Sequence, residues 1–295
     1  GQALGRLVLA AGHEPFLGYH GEKRPPHILP STDDPPAVSA ACELLLVATS
    51  ASELRNAIRL AKPGPEHRIV VAGRGLEPST SKWLTDVVLE ECDALRVGAL
   101  AGPAPVEEIL NGGLCAGVIA SRYEEVRAMA VDALHSSRYR MYQTPDLLGV
   151  QLAGAMVPVL AAVLGVARSL RGSGVGVHAM VLARGLEEGG RLARAMGADP
   201  LTFVGLAGAG DLVAAQAVPG HPSYEVGVAL ANRTRGGAPA PTDHGPLALA
   251  RAVLRTAGHH KVEMPLTEAL VAIEEGGDPL DAVHKLMSRK PTATG

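Results

Sequence analysis

The chain has 295 residues, of which 47% are apolar and only 3% aromatic, so a core must be built from Ala, Leu and Val, which suits packed helices and argues against an all-β sandwich. A formal net charge of −3, with no run of Lys or Arg, excludes tracking along a phosphate backbone, and nucleic acid is not an expected partner. The length allows two domains, each with its own core.

Gly1 to Pro15 reads GQALGRLVLAAGHEP, where Leu4, Leu7 and Val8 share a helical face and Gly12 is placed to end the helix in a left-handed turn. A short strand follows at Pro15 to Leu17, and His27 to Pro36 is a loop rich in Pro and Asp. LLLVAT (Leu44 to Thr49) is a continuous apolar run, the mark of a strand buried on both faces of a parallel sheet. Ser52 is placed to cap a helix on which Leu54, Ile58 and Ala61 align, and RIVVAG (Arg68 to Gly73) is the next strand. Leu84, Val87, Val88 and Glu91 trace a further helix. LRVGALAGP (Leu95 to Pro103), CAGVIAS (Cys115 to Ser121) and RYRMYQ (Arg138 to Gln143) continue the strand series, with Val126, Ala130, Ala133 and Leu134 on the helix between the last two.

After Pro145 the period is helical throughout, and Asp199-Pro200 and Asp278-Pro279 each offer a capping carboxylate followed by proline. The pattern predicts an α/β, doubly wound parallel sheet over 1–143 and an all-α domain over 144–295. In such sheets ligands sit at the carboxyl ends of the strands, where strand order reverses. The most apolar stretch, Leu147 to Ala167, is interrupted by Gln151 and Pro158 and reads as a buried helix rather than a membrane span. Cys42, Cys92 and Cys115, far apart and odd in number, read as reduced core thiols of a cytoplasmic protein. The histidines show no zinc-type spacing.

Four segments in order, AGPAPVEE (Ala101 to Glu108), TPDLLGVQLAGA (Thr144 to Ala155), ARGLEEGGRLARAMGADPLTFVGLAGAGDLV (Ala183 to Val213) and VEMPLTEAL (Val262 to Leu270), resemble the bacterial NAD(P)-dependent glycerol-3-phosphate dehydrogenases over essentially the whole chain. The resemblance implies a Rossmann-like fold, hydride exchange between nicotinamide and C2 of glycerol 3-phosphate or dihydroxyacetone phosphate, and a homodimer. It matches Gly1 to the third glycine of that family's Gly-x-Gly-x-x-Gly loop, with the first strand, central in the sheet, and the first two glycines absent. Neighbouring strands would then lose ladder partners, and the expectation is a natural product about a dozen residues longer at its start.

On the cofactor side the resemblance implies Gly1, His20, Thr49, Ser50, Ala101, Gly102, Pro103 and Ala104. NAD and NADP both stay open, because the tip after the second strand offers Glu22 for a ribose 2′-hydroxyl and Lys23 or Arg24 for a 2′-phosphate. The family's acid/base lysine on the first helix of the second domain corresponds to Val157, followed by Pro158; valine cannot donate a proton. A second family lysine corresponds to Arg74, which keeps the charge but does not release a proton near neutral pH. Asp211, in GLAGAGDLV, matches the family's catalytic-site aspartate, while that glycine run follows no strand and is no dinucleotide loop. The family's phosphate-gripping stretches correspond to His221 to Tyr224 and His244 to Leu247. Arg74, Arg251 and Arg255 are left as candidate ligands for a small phosphorylated substrate, the last two one turn apart on a helix, where a solvated helix face is the plainer reading. Two readings follow, a dehydrogenase with its chemistry rerouted through Arg74 and Asp211, or a non-catalytic member that binds a nucleotide or a protein partner. The substitutions at proton shuttle and phosphate grip favour the second.

Overall fold

A computed structural model describes residues 1–19, 29–233 and 245–288. The chain forms two compact units, Gly1–Gly154 with Leu201–Ala214, and Ala155–Pro200 with Ala215–Gly295.

The first unit begins with helix α1 (Gln2–Ala10), which Gly12 closes at φ 92°, with His13 N–H donating back to the Val8 carbonyl at 3.1 Å. Strands β1 (Leu17–Gly18) and β2 (Ser31–Thr32) pair in parallel, so the Pro- and Asp-rich loop contains a short strand that periodicity missed. Helix α2 (Pro35–Ala41) leads to β3 (Leu44–Val47), α3 (Leu54–Ala61), β4 (Arg68–Val71), α4 (Leu84–Glu91), β5 (Arg96–Ala101), α5 (Val106–Leu110), β6 (Cys115–Ala120), α6 (Glu124–Leu134) and β7 (Tyr139–Thr144). The last five strands form one sheet in chain order, β3 to β7.

Alternate residues of the apolar runs serve opposite faces of this sheet. Leu45, Ile69, Val71 and Val97 pack with Leu54, Ile58, Val87 and Val88 of α3 and α4. Val70 and Ile119 pack with Leu7 of α1 and with Val126, Ala130 and Leu134 of α6. This burial on both faces is why LLLV and RIVV carry no polar alternation. The expected parallel order holds from β3 to β5 and from β6 to β7, but β5 and β6 are antiparallel. The reason lies in the connection. It holds only the five-residue α5 and then turns at Gly112 (φ 71°), too little helix to carry the chain back across the sheet. Ser52 does not cap α3 either: its hydroxyl pairs with that of Ser50 at 3.0 Å, and Glu53 occupies the cap position without a side-chain bond.

Among the described residues β1 pairs with β2 alone and β3 with β4 alone. Between β1 and β3 lies a cavity of about 450 Å³, flanked by Leu4 and Val8 of α1 and by Val38 and Ala57 of α2 and α3. At its rim His13 Nε2 stands 3.3 Å from Asp132.

The first unit runs on to Gly154 and takes in the first two turns of helix α7 (Leu147–Ser169). There Gln151 Oε1 accepts hydrogen bonds from the Thr85 hydroxyl at 3.0 Å and its backbone N–H at 3.3 Å. Helix α7 is long and apolar enough to cross a membrane by length and composition, and, in keeping with the buried helix read from the sequence, 78% of its most apolar window is buried within the protein.

In the second unit the remainder of α7 meets helix α11 (Pro222–Arg233) at two glycines. A Cβ on Gly227 would lie 2.8 Å from Val166 N, and one on Gly165 would lie 3.1 Å from Val228 N, so the two backbones touch. Helices α8 (Val175–Ala195), α12 (Pro246–His259), α13 (Pro265–Glu274) and α14 (Pro279–Ser288) complete this unit, and between α8 and α11 lie the short helices α9 (Pro200–Val204) and α10 (Asp211–Ala217), which bracket the part of the chain returning to the first unit. Asp278 caps α14 as the sequence predicts, accepting from Leu280 N–H at 2.7 Å.

Glu188 of α8, 1% exposed, accepts from Leu266 N–H (2.9 Å), Thr267 N–H (3.1 Å) and the Thr267 hydroxyl (2.7 Å), and so caps α13 from another helix. Burial raises its pKa, against the pull of those donors. Glu188→Ala, which strands these donors, is expected to lower unfolding stability by about 2–5 kcal/mol, read by chemical denaturation, with Glu188→Gln retaining most of it.

Candidate active site

The carboxyl ends of β3, β4 and β5 carry three short turns, all within the first unit. After β4 the chain turns at Gly73-Arg74-Gly75, with Gly75 at φ 95°. Gly73 leaves room for its neighbour, since a Cβ there would sit 3.1 Å from the Thr49 carbonyl beyond β3. Thr49 Oγ1 is buried and has no hydrogen-bond partner, while the Ser50 carbonyl accepts from Glu53 and Leu54 N–H at 3.1 Å. Beyond β5 the turn Ala101-Gly102-Pro103-Ala104 requires its glycine, at φ 122° and with Gly117 Cα 3.1 Å from a built Cβ.

Arg74 joins these turns. Its Nη2 donates to the Gly102 carbonyl at 3.2 Å, an oxygen that also accepts from Ala104 N–H at 2.9 Å. Its Nη1 forms an ion pair with Asp211 Oδ2. Behind Arg74 stands the second turn of α7, where a Cβ on Gly154 would lie 3.9 Å from the Arg74 Cβ. Val157, one turn further along the same helix, is 1% exposed.

Asp211 is 3% exposed and opens helix α10. The glycine-rich run before it, Leu206–Gly210, is a π-helical turn, the kind of irregularity that backbones keep at working sites. Gly208 sits where a Cβ would strike the Phe203 carbonyl, and Gly210 packs on Pro103, with 3.5 Å between a built Cβ and the proline Cγ. Burial pushes the Asp211 pKa up to about 6, and the nearby Arg74 charge only partly offsets it. Tyr139, buried on β7 within electrostatic reach of Arg74 and Asp211, is pushed up to about 12, chiefly by desolvation.

The structure therefore brings Arg74, Gly102 and Asp211 together and sets Thr49 and Ser50 one strand away. Gly1 caps α1 at an exposed position with nothing within 4 Å of a built Cβ. His20, with Glu22, Lys23 and Arg24, and His244 lie outside the described residues. Arg251 and Arg255 lie in the second unit, where Arg251 pairs with Glu274 and stands 3.7 Å from Glu275, so it is more than a solvated helix face. Sequence reasoning did not single out Asp146 or Thr202, whose side chains meet at 2.6 Å. The signal was present in TPD, an aspartate just ahead of a helix start. The three cysteines are free and half-buried.

The chain matches the family NAD-dependent glycerol-3-phosphate dehydrogenase N-terminus over residues 18–127 and the corresponding C-terminus over residues 146–285. It is 36% identical over 278 residues to a glycerol-3-phosphate dehydrogenase (NAD(P)+) of Symbiobacterium thermophilum, covering 91% of this chain and 80% of that protein. It is 37% identical over 211 residues to the one of Ectopseudomonas mendocina, a match that takes in 71% of this chain and 62% of the relative. The crystal structure of glycerol-3-phosphate dehydrogenase from Coxiella burnetii superposes with a TM-score of 0.82 at 26% identity, covering 98% of this chain and 95% of the other.

Proposed function

The chain belongs to the NAD-dependent glycerol-3-phosphate dehydrogenase family, and on that premise we propose that it interconverts sn-glycerol 3-phosphate and dihydroxyacetone phosphate with NAD or NADP. The observation that carries the reading is the Arg74–Asp211 pair held over the Gly102 turn at the carboxyl edge of the sheet. When bound, the nicotinamide supplies or takes up the hydride at substrate C2.

The residues present fit such a cofactor. Thr49, Ser50 and the turn Ala101, Gly102, Pro103, Ala104 would hold it, the buried Thr49 hydroxyl having no other partner. Gly1, at the start of α1, would face its pyrophosphate, where unpaired helix N–H groups favour an anion. The cofactor-specific residues around His20 stand outside the described segments.

Arg74 supplies a fixed positive charge for the substrate oxygen on which negative charge develops. An arginine does not give up its proton near neutral pH, and Val157 has none to give, so proton exchange falls to Asp211. A buried carboxyl poised near 6 is protonated when it must donate and ionised when it must accept, close to working pH. Arg255 and Arg251 are the second unit's proposed phosphate ligands, and Arg251 would have to leave Glu274 to serve. The reading includes a cytoplasmic homodimer, a setting that the three free cysteines support.

The test is oxidation of NADH and of NADPH with dihydroxyacetone phosphate. Turnover of about one per second or more establishes the activity. Saturable nucleotide binding with no turnover in either direction would instead favour the non-catalytic reading that Val157 suggested.

A further inference from the structure

The segment Leu201–Ala214 returns to the first unit and delivers Asp211 to Arg74. At the Asp211 end the contact is an ion pair between Oδ2 and Arg74. Nine positions upstream the fastening is directional. The Thr202 hydroxyl of α9 donates to Asp146 Oδ2 at 2.6 Å. The other oxygen of that carboxylate accepts from Gly149 N–H at 3.0 Å, capping the first turn of α7, and the Asp146 N–H donates to the Thr144 hydroxyl at 3.2 Å. Asp146 is thus tied to β7 and α7 before it receives Thr202.

Between Thr202 and Asp211 there is little slack. Phe203 is fully buried, Gly208 lies against its carbonyl, and Gly210 rests on Pro103. A displacement at Thr202 is therefore passed through the π-helical turn to Asp211 rather than absorbed.

We propose that Asp146 and Thr202 form a latch that positions Asp211 against Arg74, making both of them positioning residues for proton exchange. The proposal rests on the reading of Asp211 as the proton-exchanging group. The first element is the hydroxyl-to-carboxylate bond itself, and the second is the rigid path from it to the site.

Thr202→Val removes the donor at nearly constant volume. Loss of one hydrogen bond to a charged acceptor is expected to lower kcat by about tenfold while leaving KM for dihydroxyacetone phosphate within about twofold, and Thr202→Ser should restore kcat. Independently of turnover, the ¹³C NMR titration of the Asp211 carboxyl should move to higher pH in Thr202→Val, because the facing Arg74 charge withdraws while the buried Tyr139 and the apolar surroundings stay. Asp146→Asn, which keeps an acceptor for Gly149 N–H, should shift the same titration in the same direction by less. A lower melting temperature with kcat and the Asp211 titration both unchanged would overturn the latch and leave only a structural tie. Should the protein prove inactive on this substrate, a shifted titration in Thr202→Val still supports the latch, and an unshifted one still overturns it.

Discussion

Asp211→Asn is expected to lower kcat by about 10²–10⁴-fold, the usual cost of losing a general acid/base group, while leaving nucleotide binding in place. The pH profile distinguishes this role from a structural one. Asp211 has its pKa raised from 3.8 to about 6 by burial, against the pull of the Arg74 charge, while nearby Tyr139, pushed up to about 12, is neutral in that range. Below about pH 6 it is protonated, so carbonyl reduction, which needs a donor, should fall as pH rises through that value, whereas alcohol oxidation, which needs an acceptor, should rise. Both inflections should vanish in the asparagine variant. Stability carries the same signature. Because the folded state binds this proton more tightly than the unfolded chain, ionisation opposes folding, and wild-type stability should decline as pH rises from about 4 to about 6. Denaturant titrations across that window should show the decline in wild type and lose it in Asp211→Asn.

Arg74→Ala is expected to cost about 10²–10³-fold in kcat, comparable with removing a preorganised donor to a developing oxyanion. It should also act on Asp211. With its counter-charge gone, a carboxylate that is only 3% exposed becomes harder to ionise, and its titration should climb above 6. At neutral pH the oxidation direction should then suffer more than the reduction direction. Arg74→Lys should keep part of the rate, since it preserves the charge but forfeits simultaneous contact with Asp211 and the Gly102 carbonyl. Steady-state kinetics in both directions, together with carboxyl titration, check each expectation.

What could be read in the sequence follows from how local its causes are. LLLV and RIVV announce strands buried on two faces because nothing in them is polar, and the switch to helical period after Pro145 is equally local. Gly12 and Asp278 declared their caps through single residues. The direction of β6 was not legible, because CAGVIA reads alike in either orientation and only the short α5 connection decides. Ser52 lost its cap to a neighbouring hydroxyl, a competition that composition does not reveal. Arg74 and Asp211 were visible as candidates one at a time, yet their pairing spans nearly half of the chain and depends on a π-helical turn that a glycine run does not specify. The link from Asp146 to Thr202 was hidden for the same reason. The commitment of Arg251 to Glu274 depends on how α12 packs on α13, which no pattern within either helix encodes.

The two glycines at which α7 and α11 touch bear on how the second unit tolerates change. Neither Gly165 nor Gly227 has room for a methyl group against the facing backbone, so alanine at either position would prise the two helices apart and open gaps in the apolar packing beside them.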